Sequence, residues 1–410
     1  MNALQKLRHY RADLTYFNSD NDACVLTPAL GVTLFVAEGH LASVREQVAE
    51  CINLYQSMFS GQLHASLISI SDRYREPRFG SAGFPDIREV IAALDPDDEL
   101  AWQVSGSADL ESASAYYVNA FLMRKWQVEL QGDLSVLQFA LPVSALIDLK
   151  PFLALLEVWI KRLNPVHGSA NIVTVLPYER HRWQFNEFEA LQRYYCVSPF
   201  TGDFMAADQL KEKIRSTSWI TILGERLAKQ VSIDAGLREQ IAAAGGQIKQ
   251  VGQSSLIKAE AIPDLSPVVD GMPELYMALD KALKPVQVDP DEMCLHTGSM
   301  NGAINFDERT SALWLRRFEA PDTWPAYPDH MEFFGLGDAE ALSDQEAAEI
   351  EAIFNDRVLP GSPCPRAGYW YTPAKALSRA YFKKTDVMPD YPGSSYGATI
   401  WYWDMNQVSQ

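Results

Sequence analysis

Seven histidines and five cysteines are the residues best suited to metal binding or nucleophilic chemistry in this chain. His9, His40, His64, His167, His181, His296 and His330 contain no pair at ligand spacing. Cys24, Cys51, Cys196, Cys294 and Cys364 are odd in number, far apart and without C-x-x-C, which argues against a disulfide framework and a zinc site. There is no Walker-type loop, no G-x-G-x-x-G, no H-E-x-x-H and no G-x-S-x-G elbow. Glu157 and Lys161, four apart, form a helical ion pair rather than part of a nuclease set. Gly335, Gly337 and Asp338 resemble a phosphate loop, but the acidic helix expected after them would repel phosphate. The expectation is therefore no catalytic residue, no metal and no cofactor. Distant acids such as Asp97, Glu179 or Asp386 could still converge, and an enzyme would need them in one cleft with perturbed carboxyls.

Charge narrows the partners. The net charge of −18 disfavours nucleic acid, whose binding rests on Lys and Arg replacing counterions. It favours a basic protein partner instead. Between Val286 and Asp356 there are sixteen Asp and Glu against Arg309, Arg316 and Arg317. Such a run is either a solvated face or a field that steers a cation. No run of about eighteen apolar residues occurs, so no spanning helix and no membrane contact are expected. Met1 to Thr15 mixes charges with its apolar residues and lacks a signal-peptide pattern, which makes the cytoplasm the expected location.

These residues must be positioned by interspersed helices and strands. Val32–Val36 reads as a buried strand, the stripe from Leu41 to Met58 as a helix, and Leu63–Ser71 as a strand. The order returns with Leu134–Ala140, a helix over Phe152–Leu163 and a strand over Ile172–Leu176. An internal duplication would explain the echo, and so would any mixed α/β chain. Ala101–Ser105, Trp126–Leu130, Gln247–Val251 and Ser255–Ala259 are strand-like, and helices are expected over Leu223–Gln230 and after Pro273. The fold class is α+β, a mixed α/β domain with central sheets flanked by helices. From Trp324 the chain turns aromatic, acidic and Pro-rich, ending in GYWYTPA, SRAYF and YGATIWYW. Trp370, Trp401 and Trp403 are expected to be buried there.

Six stretches in order resemble one family, the type VI secretion immunity proteins associated with VRR-NUC nuclease toxins. They are LQFALPVSAL from Leu137, ANIVTVLPYER from Ala170, SWITILGERLAKQ from Ser218, LIKAEAIP from Leu256, MPELYMALDKALKPV from Met272 and FDERTSALWLRRFE from Phe306. The chain departs from the family pattern in Asp264–Asp270 and in RYYCVSPFTGDF from Arg193, which bears on the partner's identity more than on the fold. Trp219, Leu223, Gly224, Leu227, Tyr276, Leu279, Trp314, Leu315 and Phe318 occupy family positions and read as core.

The resemblance implies an immunity domain over residues 1–323, with 324–410 as an extension packed on it. It also implies a function: binding and occluding a cognate secreted toxin, basic and a nuclease, without turnover. The toxin-facing surface is expected on the acidic segment, through Asp322, Asp329, Glu332, Asp338, Glu340, Asp344, Glu346, Glu349 and Glu351, with Trp324, Tyr327 and Phe333 as apolar anchors. A hydrolase that reverses toxin damage and an adaptor of the secretion machinery are the alternatives.

Overall fold

The computed structural model describes residues 11, 13–18, 20–21, 23–71, 73–200, 209–296, 305–327, 357–358, 360–364, 367–372, 374–375, 378–392 and 399–403. After a short β1 (Tyr16–Phe17), β2 (Cys24–Val36) runs through thirteen residues, all but the first buried. A strand covered on both faces reads as a near-continuous apolar run, which is why only its last third stood out in the sequence. Pro28 has no N–H to give: it lies opposite Thr174 on one side of the strand and falls just beyond the last pair on the other, Ala29 opposite Pro142.

From β2 the chain enters α1 (Ala42–Met58), whose Val48, Cys51, Ile52 and Tyr55 are buried at the three-and-four spacing of one face. It returns in β3 (Ala65–Ile70) and β4 (Arg73–Arg75), and α2 (Ile87–Ala92) follows, capped by the Asp86 carboxylate. β5 (Leu100–Ser105), β6 (Tyr117–Leu122) and β7 (Ser135–Pro142) form a meander. Next come α3 (Lys150–Leu163), β8 (His167–Val175), α4 (Gln184–Gln192), β9 (Val197–Pro199) and β10 (Ile220–Leu223). α5 (Glu225–Ala228), α6 (Ala235–Ala243), β11 (Gly245–Val251), β12 (Ser254–Glu260), α7 (Glu274–Leu283) and α8 (Glu308–Leu315) complete this part.

Among the described residues these strands make one sheet, ordered β11-β12-β10-β8-β2-β7-β6-β5-β3-β4, with β1 beside β2 and β9 beside β8. The β8–β9 pair is parallel, whereas β2 lies antiparallel to β7 and β8. One face is filled from α1 and α3, where the Phe139 ring lies 4.8 Å from Trp159 and 5.7 Å from Phe152. Against the other, Phe200 packs with Ala29, Ala140 and Val173. A Cβ on Gly31 would collide with Val173 and Phe200, so glycine is required where these layers approach.

Two sequence expectations change. Trp126–Leu130 alternates like a strand but contains a π-turn over Gln127–Gln131, closed by left-handed Gly132, with Leu130 exposed. Leu223–Gln230 is not one helix, because Ile220–Leu223 is claimed by β8 and β12 as a strand and only Glu225–Ala228 winds. The two strand–helix–strand units also differ in topology. β2 and β3 are separated by three strands, whereas β7 and β8 have only β2 between them.

Tyr55 ties α1 to the sheet. Its hydroxyl donates to Ala140 O at 2.6 Å and accepts from Tyr117 N–H at 3.0 Å, two groups that face each other across β6 and β7. Tyr55→Phe should leave both without that partner and lower stability by about 1–3 kcal/mol, read from the urea midpoint at unchanged slope.

The chain divides into two compact units, Met1–Phe333 and Phe334–Gln410. The second holds a four-stranded sheet, ordered β13 (Arg357–Val358), β16 (Trp401–Trp403), β14 (Gly368–Tyr371) and β15 (Ala380–Phe382). Its core joins Trp370 and Trp401, both fully buried, to Val358, Cys364 and Met388. The Trp401 indole donates to Pro389 O at 2.7 Å. The side chain of Trp403 lies outside the described residues.

Candidate functional site

Of the residues expected to face a partner, three are described. Asp322 is exposed on the turn Pro321–Thr323. Trp324 is 1% exposed: its indole donates to Leu191 O at 2.9 Å, and its carbonyl accepts from the Tyr195 hydroxyl at 3.0 Å. Tyr327 is half-buried, with its ring 6.0 Å from Phe188. Trp324 and Tyr327 thus meet around Phe188 inside the first unit and present no common apolar surface to solvent. Asp329, Glu332, Phe333, Asp338, Glu340, Asp344, Glu346, Glu349 and Glu351 lie outside the described residues.

The acids Asp97, Glu179 and Asp386 do not converge in one cleft among the described residues. Asp97 accepts from Trp126 N–H at 3.3 Å, Glu179 pairs with Arg182 at 3.3 Å, and Asp386 accepts from Lys383 N–H at 2.7 Å. Each is held by a local partner, and none shares a partner with another. Glu157 does pair with Lys161 at 3.8 Å, yet its nearer partner is Lys249 at 2.5 Å, so the charge joins α3 to β11.

One assembly escaped the sequence reading. Glu187 on α4 accepts from the Thr174 hydroxyl of β8 at 2.5 Å and from His296 Nε2 at 2.8 Å. His296 Nδ1 accepts from Phe306 N–H at 3.2 Å, which fixes the ring proton on Nε2. Cys294 is nearby and exposed, but its thiol donates to the His296 carbonyl at 3.0 Å rather than to the ring. A cysteine nucleophile needs a free imidazole nitrogen to take its proton, and both are engaged here. The side chains of Glu187 and His296 are 0% and 1% exposed. The assembly fastens β8, α4 and the approach to α8, and the 109 residues between its acid and its imidazole left no local signal.

A groove of about 420 Å³ lies between α1 and α2. It is built by Arg45, a buried side chain on the inner part of α1. The Arg45 guanidinium donates to Gly39 O at 3.3 Å, Asp95 O at 2.9 Å and Asp98 O at 3.0 Å, clasping the backbone of the turn after α2. Burial presses this guanidinium below its ordinary pKa, and the charges of Asp98 and Asp95 oppose that shift. The Asp98 carboxylate accepts from the Ser71 hydroxyl at 2.7 Å and from Asp95 N–H at 2.9 Å, bonds that hold it below the usual carboxylate range. The turn is thereby fixed from both sides while the Asp95 and Asp97 side chains stay exposed. Arg88 on α2 reaches Glu50 on α1 at 2.7 Å, and Arg162 of α3 approaches the same carboxylate at 3.7 Å. Residues 38–50 and 86–99 frame the groove, whose charged lining is Glu46 and Glu50 against Arg45 and Arg88. Counted along the chain the two segments are unremarkable neighbours of helices, and only the fold brings them together.

A family model described as TsiV, type VI immunity for VRR-NUC, matches residues 47–318, which run from α1 to just past α8. Among solved structures, a Pseudomonas aeruginosa T6SS protein is similar at 22% identity with a TM-score of 0.67, over 82% of this chain and 94% of that one. At that identity the likeness is one of fold. No curated protein matches the sequence.

Proposed function

This chain belongs to the TsiV family of type VI immunity proteins for VRR-NUC, and on that footing we propose that it protects by binding its effector one to one and covering the nucleic-acid cleft, without turnover. The family match over residues 47–318 carries the reading. Charge supports it. A nuclease must present a positive surface to its phosphate substrate, and a chain of net charge −18 meets such a surface favourably. Among the described residues no helix is long and apolar enough to cross a membrane, and we place the encounter in the cytoplasm, where the effector would find its substrate.

The acidic segment from Asp322 to Glu351 is proposed to steer the effector toward the chain, because rim charges act on association more than on release. One experiment tests both ideas. When the effector's nuclease activity is titrated with purified chain, inhibition should be complete at one equivalent. Reversing Asp344, Glu349 and Glu351 to Lys should slow association about tenfold at low salt and leave the endpoint alone. Inactivation of many effector molecules by one chain would establish turnover and sink the occlusion reading.

A further inference from the structure

The four-stranded sheet of the second unit has two faces of different character. Alternation along the strands sends Trp370 of β14, Phe382 of β15 and Trp401 of β16 inward, where they meet in one apolar core. It sends Tyr369, Tyr371, Tyr381 and Tyr402 outward, so that every outward position of these three strands is a tyrosine. We propose that this outer face is a stacking platform for single-stranded nucleic acid, with bases on the tyrosine rings and phosphates on Arg379 and Lys383. The face lies outside residues 47–318, so the inference is independent of the immunity reading.

Three observations carry it. First, the rings are contiguous. Tyr371 and Tyr402, paired in register, stack at 5.7 Å, and Tyr369, two residues before Tyr371, meets its own partner Tyr381 edge-on at 5.3 Å. Second, the rings are accessible: Tyr381 is 56% exposed and the other three are half-buried. The solvent face of an antiparallel sheet is ordinarily polar, and a tyrosine at each position replaces that polar surface with aromatic area. Third, the charge on the face is positive. The Arg379 guanidinium lies 4.0 Å over the Tyr369 ring, and Lys383, two residues beyond Tyr381, is exposed with no ion-pair partner among the described residues. None of the three strands carries an Asp or Glu. The described acid nearest to them in sequence, Asp386, accepts from Lys383 N–H at 2.7 Å and closes the turn after β15. Cations on the edge strand β15 would by themselves block strand pairing, but that role asks for no aromatic row.

The occupant follows from the two features together. Unstacked bases offer their faces to the rings, and the phosphates between them meet the cations. A duplex keeps its base faces inside its own stack. A sugar chain would need carboxylate or amide acceptors for its hydroxyls, and the outward positions of these strands hold neither. The net charge of −18 disfavours nucleic acid for the chain as a whole, whereas the charges described on this face favour it.

The test uses the full chain and a fluorescein-labelled oligothymidylate of about ten nucleotides, with Kd read by anisotropy. Tyr381→Ala and Lys383→Glu, both at exposed positions, should each weaken binding by about tenfold with an unchanged melting temperature. Tyr74→Ala removes a tyrosine that is 72% exposed on β4 of the first unit and should bind like the parent. A duplex of the same length should bind about tenfold more weakly than the single strand. No anisotropy change up to about 0.1 mM parent chain, the weak end of non-specific binding, overturns the proposal. Parent-like binding by both face variants, an equal loss in Tyr74→Ala, or a duplex bound as tightly as the single strand also overturns it. Displacement by polyglutamate as readily as by unlabelled oligothymidylate assigns the face to an acidic polypeptide and overturns the nucleic-acid reading.

Discussion

Replacing Trp324 by alanine is expected to lower the stability of the first unit by about 3–5 kcal/mol, the cost of emptying a large buried aromatic site. The indole lies 6.0 Å from the Phe306 ring in a stacked arrangement and 6.4 Å from Phe188 edge-on. Its N–H satisfies Leu191 O at the end of α4, so truncation removes packing and also deprives a buried carbonyl of its donor. Trp324→Phe keeps most of the ring and loses only the bond, and should sit between the two. Because the side chain is internal, the folded fraction of either variant should bind the effector at the parent rate. Urea unfolding and stopped-flow binding check this together. A Trp324→Ala chain of parental stability that releases effector faster would return the residue to the partner surface.

That residue shows where sequence reasoning stops. A tryptophan beside an acidic run is equally consistent with an interface anchor and with a core residue, since the two share the same apolar ring and polar N–H. What decided the matter is Leu191 O, 133 residues away. The helices α1 and α3 were legible because a 3.6-residue stripe is a local property, and each reports its own buried face. Strand–helix boundaries were less so. Ile220–Leu223 and Trp126–Leu130 are both short stretches with apolar residues at alternate positions, and only the first finds strands on both sides to pair with. The groove was illegible for a related reason. Its walls come from two segments dozens of residues apart, and the arginine that joins them looks in sequence like one more surface charge on a helix.

Lowering the pH from 7 to 4 is expected to cost the first unit about 3 kcal/mol through His167 alone. The imidazole begins β8, between Phe35 of β2 and Leu223 of β10, and stacks on the Phe35 ring at 4.5 Å. Nε2 donates to Leu210 O at 2.5 Å, so the neutral ring is already served and a second proton would be a buried charge. Burial pushes its pKa down from 6.5 to about 4, against the opposing pull of that backbone bond. With the folded value below the unfolded one, the unfolded chain binds the proton first as pH falls. The stability is therefore fully present above about 6.5, drains away toward 4 and changes little below that. At 2% exposure the ring is not screened by solvent, so its protonation bears fully on stability. Glu260 works in the opposite direction. Burial and then the Asp264 charge raise its pKa to about 7, which stabilises the fold as pH falls, though its partial exposure weakens that effect. The His167 share is isolated by comparing the parent with His167→Gln, whose amide can still donate to Leu210 O. The stability difference between the two chains should shrink by about 3 kcal/mol between pH 7 and pH 4. A difference that stays constant across that window would mean that the imidazole is protonated in the folded chain, with Nδ1 finding an acceptor inside the sheet.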